Sequence, residues 1–239
     1  MPMNLPPIDD LAAMGLAWAR VMPTVTLVPA FGLKALPTSA RGILGLALAA
    51  AIYPSLVPIV VAERSLPWAF MALEQMALGM PVALAAAIPL WAAAQAGGLV
   101  DVLRGSPDGP GLAVIEGRAS SFGVLFGVFA SVVFLSTGGA ARAAEALSIT
   151  MNSTHPVFAL LVVARNLVSG ITLSLAIGAP VLAASIVLEL TFALIARAAS
   201  PAQVHALFAP VRALGLLAIV AIVLERIASL IALTVRAPF

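Results

Sequence analysis

Cysteine is absent from this 239-residue chain, so no disulfide framework can staple it and no thiolate can hold a metal. Charge is almost as scarce: 9% of residues are Asp, Glu, Lys or Arg, against about 25% in soluble domains. So few ions cannot cover a globular surface in water, which excludes a soluble enzyme or binding module. Histidine occurs only at His155 and His205, far apart and outside any His-Glu-x-x-His helix, so nothing points to a zinc protease. Ser120 and Ser121 have no histidine to pair with, and Gly97-Gly98 and Gly138-Gly139 lack the flanks of a nucleotide loop. No enzyme, cofactor or metal is expected. Lysine occurs once, at Lys34, and the remaining cations are scattered arginines with a net charge of +2. The pI of about 9.9 therefore marks no nucleic-acid surface. No cleavable basic leader is expected either. Asp9 and Asp10 stand before a first apolar run of span length, so that span is expected to act as the insertion signal.

What remains is apolar: 62% of the residues, in continuous runs rich in Ala and Leu rather than in alternating segments. Such runs form membrane helices, not barrel strands. The expectation is an all-α, polytopic membrane protein, a single domain over residues 1–239, with proline-kinked and broken helices. The runs place spans at about 11–31, 42–62, 66–100, 122–141 and 213–235, and a fifth region at 156–196. At ~1.5 Å per residue the 66–100 region would be about 50 Å long, beyond a hydrocarbon core of about 30 Å. The stretch from Leu73 to Gly105 is the organising one. It carries Glu74, is expected to kink at Pro81 and Pro89, and to break at Gly97-Gly98 into the polar turn Asp101-Val-Leu-Arg104-Gly105. The 156–196 region is also too long for one crossing, and Gly178-Ala179-Pro180 is expected to divide it into a hairpin or kinked pair. Residues 197–212 read as a polar junction.

The basic connections, with Lys34 and Arg41, Arg104 and Arg118, and Arg197 and Arg212, belong in the cytoplasm by the positive-inside rule, leaving the N-terminus outside. Ions at membrane depth cost a few kcal/mol each and face protein or a pore. Arg20, Glu74, Arg165 and Glu189 are such ions. They suit either a proton path through Glu74 and Glu189, or buried Arg–Glu pairs and contacts to neighbouring subunits. Eighteen prolines, many inside apolar runs, each free a backbone carbonyl that something else must satisfy. A kinked transporter bundle or a subunit wrapped by other proteins would both do so.

The order of landmarks resembles the FliR/SctT family of the type III protein export gate. Arg20, Pro29, Pro37 and Arg41 open the match; Glu74, Gly79, Gly98 and Asp101 to Gly105 follow. Then come Glu116, Ser120-Ser121, Gly138-Gly139, Ala179-Pro180 and Glu189, and finally Arg197, Pro201, Gln203, Phe208, Pro210 and Arg212. The resemblance runs from about Arg20 to Ile222. It departs where the family's adjacent Pro-Gln reads Pro201-Ala202-Gln203, and where Arg212 replaces a usual lysine. The Asp-x-x-Arg-Gly turn is closer to the injectisome branch than to the flagellar one.

The resemblance implies a bacterial inner-membrane gate subunit for unfolded secreted proteins. Its partners would be SctR/FliP-type and SctS/FliQ-type subunits and a SctU/FlhB-type switch protein. The polar loop from about 101 to 120 would contribute a channel plug, with Gly98, Asp101, Arg104, Gly105 and Glu116 at or in it. Arg20, Glu74, Arg165, Glu189, Arg197 and Arg212 would be buried or meet other subunits. The contrasting reading is a stand-alone ion- or proton-coupled secondary transporter.

Overall fold

The structure is a computed structural model that describes residues 8–31, 38–55, 67–104, 120–149, 156–198 and 205–236. All its regular elements are helices. In chain order they are α1 (Ile8–Leu27), α2 (Thr38–Ile52), α3 (Trp68–Leu103), α4 (Ser121–Ser136), α5 (Gly139–Ile149), α6 (Pro156–Ala198) and α7 (His205–Arg236), with single 3-10 turns at Pro29–Phe31 and Tyr53–Ser55. The chain divides into two compact units. One comprises residues up to Ile88 with Leu135–Val168, the other Pro89–Phe134 with Ser169–Arg236.

In the first unit, α1 supplies a buried stripe at helical spacing: Ala13, Leu16, Ala17, Arg20, Val21, Thr24, Val25. The stripe packs with Ala49 and Ile52 of α2, Met71 and Val82 of α3, and Leu147 of α5. Small residues set how closely the helices approach. Gly45 lies under the Trp18 indole and Gly15 under the Trp68 ring, while a methyl at Gly79 would collide with the Arg20 carbonyl oxygen. At that crossing α1 and α3 touch through backbone alone, the arrangement small residues make possible between membrane helices.

In the second unit the later half of α3 lies against α4, and at Gly97 the contact is with backbone. A Cβ at Gly97 would strike the Phe122 carbonyl, and Gly127 lies next to Ala94. Phe126, Ala130 and Phe134 fill the α4 core face, and Phe122 meets Phe126 edge-on at 6.1 Å. Gly178 of α6 admits Leu99, and Gly215 of α7 admits Leu188.

Several expected boundaries move. α3 is one helix of 36 residues, unbroken at Pro81, Pro89 or Gly97-Gly98. Each proline removes a single N–H bond, which the surrounding ladder outlasts, and the glycine pair is a contact surface rather than a break. α6 is likewise one helix of 43 residues with Pro180 inside it, so the 156–196 region is not a hairpin and Gly178-Ala179-Pro180 does not divide it. The expected span at 122–141 does break. α4 and α5 meet at a 67° bend, where Gly138 adopts φ +76°, a conformation open to glycine at little cost. Arg142 holds the corner by donating to the Thr137 carbonyl at 2.9 Å. Most of the expected polar junction is helical, since α6 runs to Ala198 and α7 starts at His205 and carries Pro210 within it.

Among the described residues three helices are long and apolar enough to cross a membrane: α3, residues 161–198 of α6 and 210–230 of α7. The bent α4–α5 pair makes up to four. α1, expected as a span, is not among them, because Asp10, Arg20, two threonines and Pro23 dilute its apolar run.

The glycine contacts give a paired prediction. Gly79→Ala should force α1 from α3 and destabilise the protein by about 1–3 kcal/mol, the usual range for overpacking. Gly42→Ala, with nothing within 4 Å of its added methyl, should be neutral or stabilise α2 by up to about 1 kcal/mol. Thermal unfolding of the two variants in detergent checks both.

Candidate functional site

The most completely wired polar cluster joins the end of α3 to the start of α4. A carboxylate in the last turn of a helix faces the negative end of the helix dipole, so Asp101 needs donors from elsewhere. It has two. Oδ1 accepts from Arg104 Nη2 at 2.8 Å, and Oδ2 accepts from the backbone N–H of Phe122 at 2.7 Å. Phe122 lies in the first turn of α4, where N–H groups have no partner within the helix. Asp101 thus caps a helix that begins twenty residues further along the chain.

α4 also has its own N-cap. Ser120 Oγ accepts from Gly123 N at 3.1 Å, and the Ser120 carbonyl accepts from Val124 N at 2.9 Å. Arg104 closes the cluster from outside, with its guanidinium 5.0 Å from the centroid of the Phe122 ring, within cation–π range. The Asp101 side chain is fully buried and that of Arg104 is 27% exposed. This is the buried, charge-assisted geometry in which an ion pair holds its place, not a loose surface pair. The result is a clasp across residues 105–119, and chemically it does one thing: it pins both ends of that polar connection to the same pair of helices.

The structure therefore brings Gly98, Asp101 and Arg104 to the base of the connection, with Gly98 N beside Gly123. Gly105 and Glu116 lie outside the described residues. Sequence reasoning singled out Ser120 only as a landmark and missed Phe122 and Gly123. The serine directly before an apolar run was the available N-cap signal.

The other ions lie elsewhere. Arg20 is buried and donates from Nη1 to Gln75 Oε1 at 2.8 Å. Glu74 is exposed, since neighbouring positions on a helix point about 100° apart and Gln75 takes the inner face. Arg165 and Arg197 are exposed on α6. Glu189 is exposed as well and pairs with Arg212 of α7 at 2.5 Å, beside the stacked rings of Phe192 and Phe208, 4.8 Å apart. The two acids considered for a proton path, Glu74 and Glu189, belong to different units and each faces outward from its own. Among the described residues no three His, Asp or Glu side chains converge as a metal site.

Asp101→Ala leaves a buried N–H and a guanidinium without their acceptor, a loss of about 1–3 kcal/mol at this corner. Hydrogen exchange in the first turn of α4 should accelerate accordingly, and Ser120→Ala should cost about 1 kcal/mol there. Asp101→Asn, which keeps an acceptor for Phe122 N–H, should fall between wild type and Asp101→Ala.

Comparison with known proteins adds to the clasp and the apolar helices. Residues 11–236 match the model of the family described as bacterial export proteins, family 1. Over 73 residues, 30% of this chain, the sequence is 37% identical to the secretion system apparatus protein SsaT of Salmonella typhimurium. That match spans 28% of the Salmonella protein's length. With nearly its whole length covered by the family model and several helices able to span a bilayer, the chain belongs to the bacterial export proteins of family 1, the FliR/SctT family of inner-membrane export components.

Proposed function

We propose that this chain is a structural, non-catalytic component of a type III secretion export apparatus, completing the gate channel through which unfolded proteins cross the inner membrane. The observation that carries the reading is the clasp. Asp101, Arg104, Ser120 and Phe122 pin both ends of residues 105–119, and a segment that plugs a channel needs a fixed base about which it can open. Gly105, Pro107, Gly109, Pro110 and Gly111 give that segment turn-forming chemistry. Gly98, Asp101 and Arg104 form its base; Gly105 and Glu116 belong to the segment itself.

The exposed apolar surface supports an assembled subunit. Only 28% of the α6 apolar window and 17% of that of α7 are buried within the chain, against 56% for α3. The partners that would cover them are the SctR/FliP-type and SctS/FliQ-type subunits and the SctU/FlhB-type switch protein. Arg165, Arg197 and the Glu189–Arg212 pair, all on α6 and α7, stand where such neighbours would meet the chain. The Asp101–Arg104–Gly105 turn favours an injectisome, in keeping with a relative described as a secretion system apparatus protein.

Gentle detergent extraction and mass analysis test the assembly. The chain should co-purify with two other small hydrophobic proteins. A purified monomer that moves a small solute into vesicles would overturn the reading in favour of a transporter. Conductance tests the plug. Arg104→Ala, or deletion of residues 105–111, should leave the complex assembled and raise its resting ion leak. An unchanged leak in an assembled complex removes the plug assignment.

A further inference from the structure

Two exposed ions of α7 sit at a depth for which nothing in this chain accounts. α6 and α7 pack antiparallel: Leu188 meets Gly215, Glu189 pairs with Arg212, and Phe192 stacks on Phe208. Both helices are able to cross a membrane. On α6 the exposed Arg165 and Glu189 bracket 23 residues without a charge, enough helix at ~1.5 Å per residue for a hydrocarbon core of about 30 Å. α7 carries ions at the same two depths. Arg212 stands beside Glu189, and Arg236 follows twenty-four positions later, about 36 Å along the axis.

Glu225 and Arg226 fall between. Glu225 is thirteen positions past Arg212, so it lies about 20 Å from the Glu189–Arg212 depth and about 16 Å from the other. Neither side chain can snorkel that far to an interface. Both are exposed on this chain, and among the described residues neither side chain has an ion-pair or hydrogen-bond partner. They do not answer each other either, since consecutive helix positions point about 100° apart.

The surroundings of these two ions narrow what covers them. Val211, Ile222 and Leu233 share their side of α7 at 50%, 80% and 65% exposure, with the small Ala218 among them. Ser229 lies there too, but its hydroxyl is answered by the Arg226 carbonyl at 2.8 Å. The wall of an aqueous passage would be polar along its length, and a strip facing lipid would carry no ion at this depth. An apolar strip with one anion and one cation fits a protein neighbour of opposite charges. We propose that this face of α7 docks a membrane helix of another polypeptide, which presents a Lys or Arg to Glu225 and an Asp or Glu to Arg226. The inference rests on the reading of the chain as one subunit of a mixed assembly, and adds which surface and which chemistry receive the neighbour. The order of the two charges also sets register, because a neighbour displaced by one turn of about 5.4 Å loses both pairs.

The test uses the full-length chain in its native membrane. The chain has no cysteine, so Ile222→Cys supplies a single thiol for a thiol-linked photocrosslinker. It should capture one other membrane protein, at a segment holding a Lys or Arg and an Asp or Glu within a turn of each other. Capture of a second copy of this chain, of lipid alone, or of a segment without those charges overturns the proposal. The exchange of Glu225→Arg with Arg226→Glu keeps the net charge and the cost of inserting two ions, and reverses only their order. It should leave the amount of chain in the membrane unchanged but cut co-purification of the captured protein roughly tenfold or more, since like charges then face each other. Reversing the facing cation and anion of that protein should restore it. Wild-type co-purification by the exchanged chain, or no recovery with the reversed neighbour, overturns the proposal and leaves the mixed assembly standing. If the exchanged chain does not accumulate, the crosslink alone decides. A wild-type chain that purifies by itself overturns the mixed assembly and the proposal with it.

Discussion

Direct backbone contact between helices is the constraint on which this molecule depends. α3 meets α1 at Gly79 and α4 at Gly97, in each case against a carbonyl oxygen rather than a side chain. In an apolar surrounding there is little hydrophobic gain in pairing helices, so close van der Waals contact and a few hydrogen bonds must hold them. Both polar clusters sit beside these contacts. Arg20 reaches Gln75 one turn from Gly79, and Asp101 reaches Phe122 one turn from Gly97. Close approach is what lets short side chains bridge two helices.

The few ions are handled in three ways, graded by burial. Asp101 is buried and fully answered, by a guanidinium and a helix N–H. Glu189 and Arg212 are exposed on this chain and answer each other across α6 and α7. Arg20 is buried and answered on one side only. A buried charge with a single hydrogen-bond partner is unusual.

The helical class, the apolar spans and the family were legible from composition and landmark order. Length and continuity of the helices were not. Gly97-Gly98 was expected to break α3 and Gly178-Ala179-Pro180 to divide α6, and in both places the helix runs on, with the long ladder around Pro180 absorbing one missing bond. Gly97-Gly98 is a clearer lesson. Glycine marks both breaks and contact surfaces, and only the partner, here Phe122 and Gly123, distinguishes them. Gly138 was the true break, because there the backbone needs a positive φ. At the candidate site, Asp101 and Arg104 were visible in the sequence as a motif. Their hydrogen-bond target twenty-one residues along the chain from Asp101 could not be read from local pattern.

The length of α6 has its own consequence. Forty-three residues rise about 64 Å at ~1.5 Å each, while a helix inclined by as much as 40° uses only about 39 Å to traverse the hydrocarbon layer. Some seventeen residues are therefore surplus to any crossing, and exposed Val168 and Ile171 towards one end are matched by Leu190 and Leu194 towards the other. The exposed Arg165 and Glu189 bracket 23 residues without a charge, about 34 Å of helix, so the cost of burying those ions, and not the length of the rod, selects the part that can lie in lipid. The exposed Leu190 and Leu194 then fall at or past the edge of the hydrocarbon layer, greasy surface beyond the reach of the acyl chains.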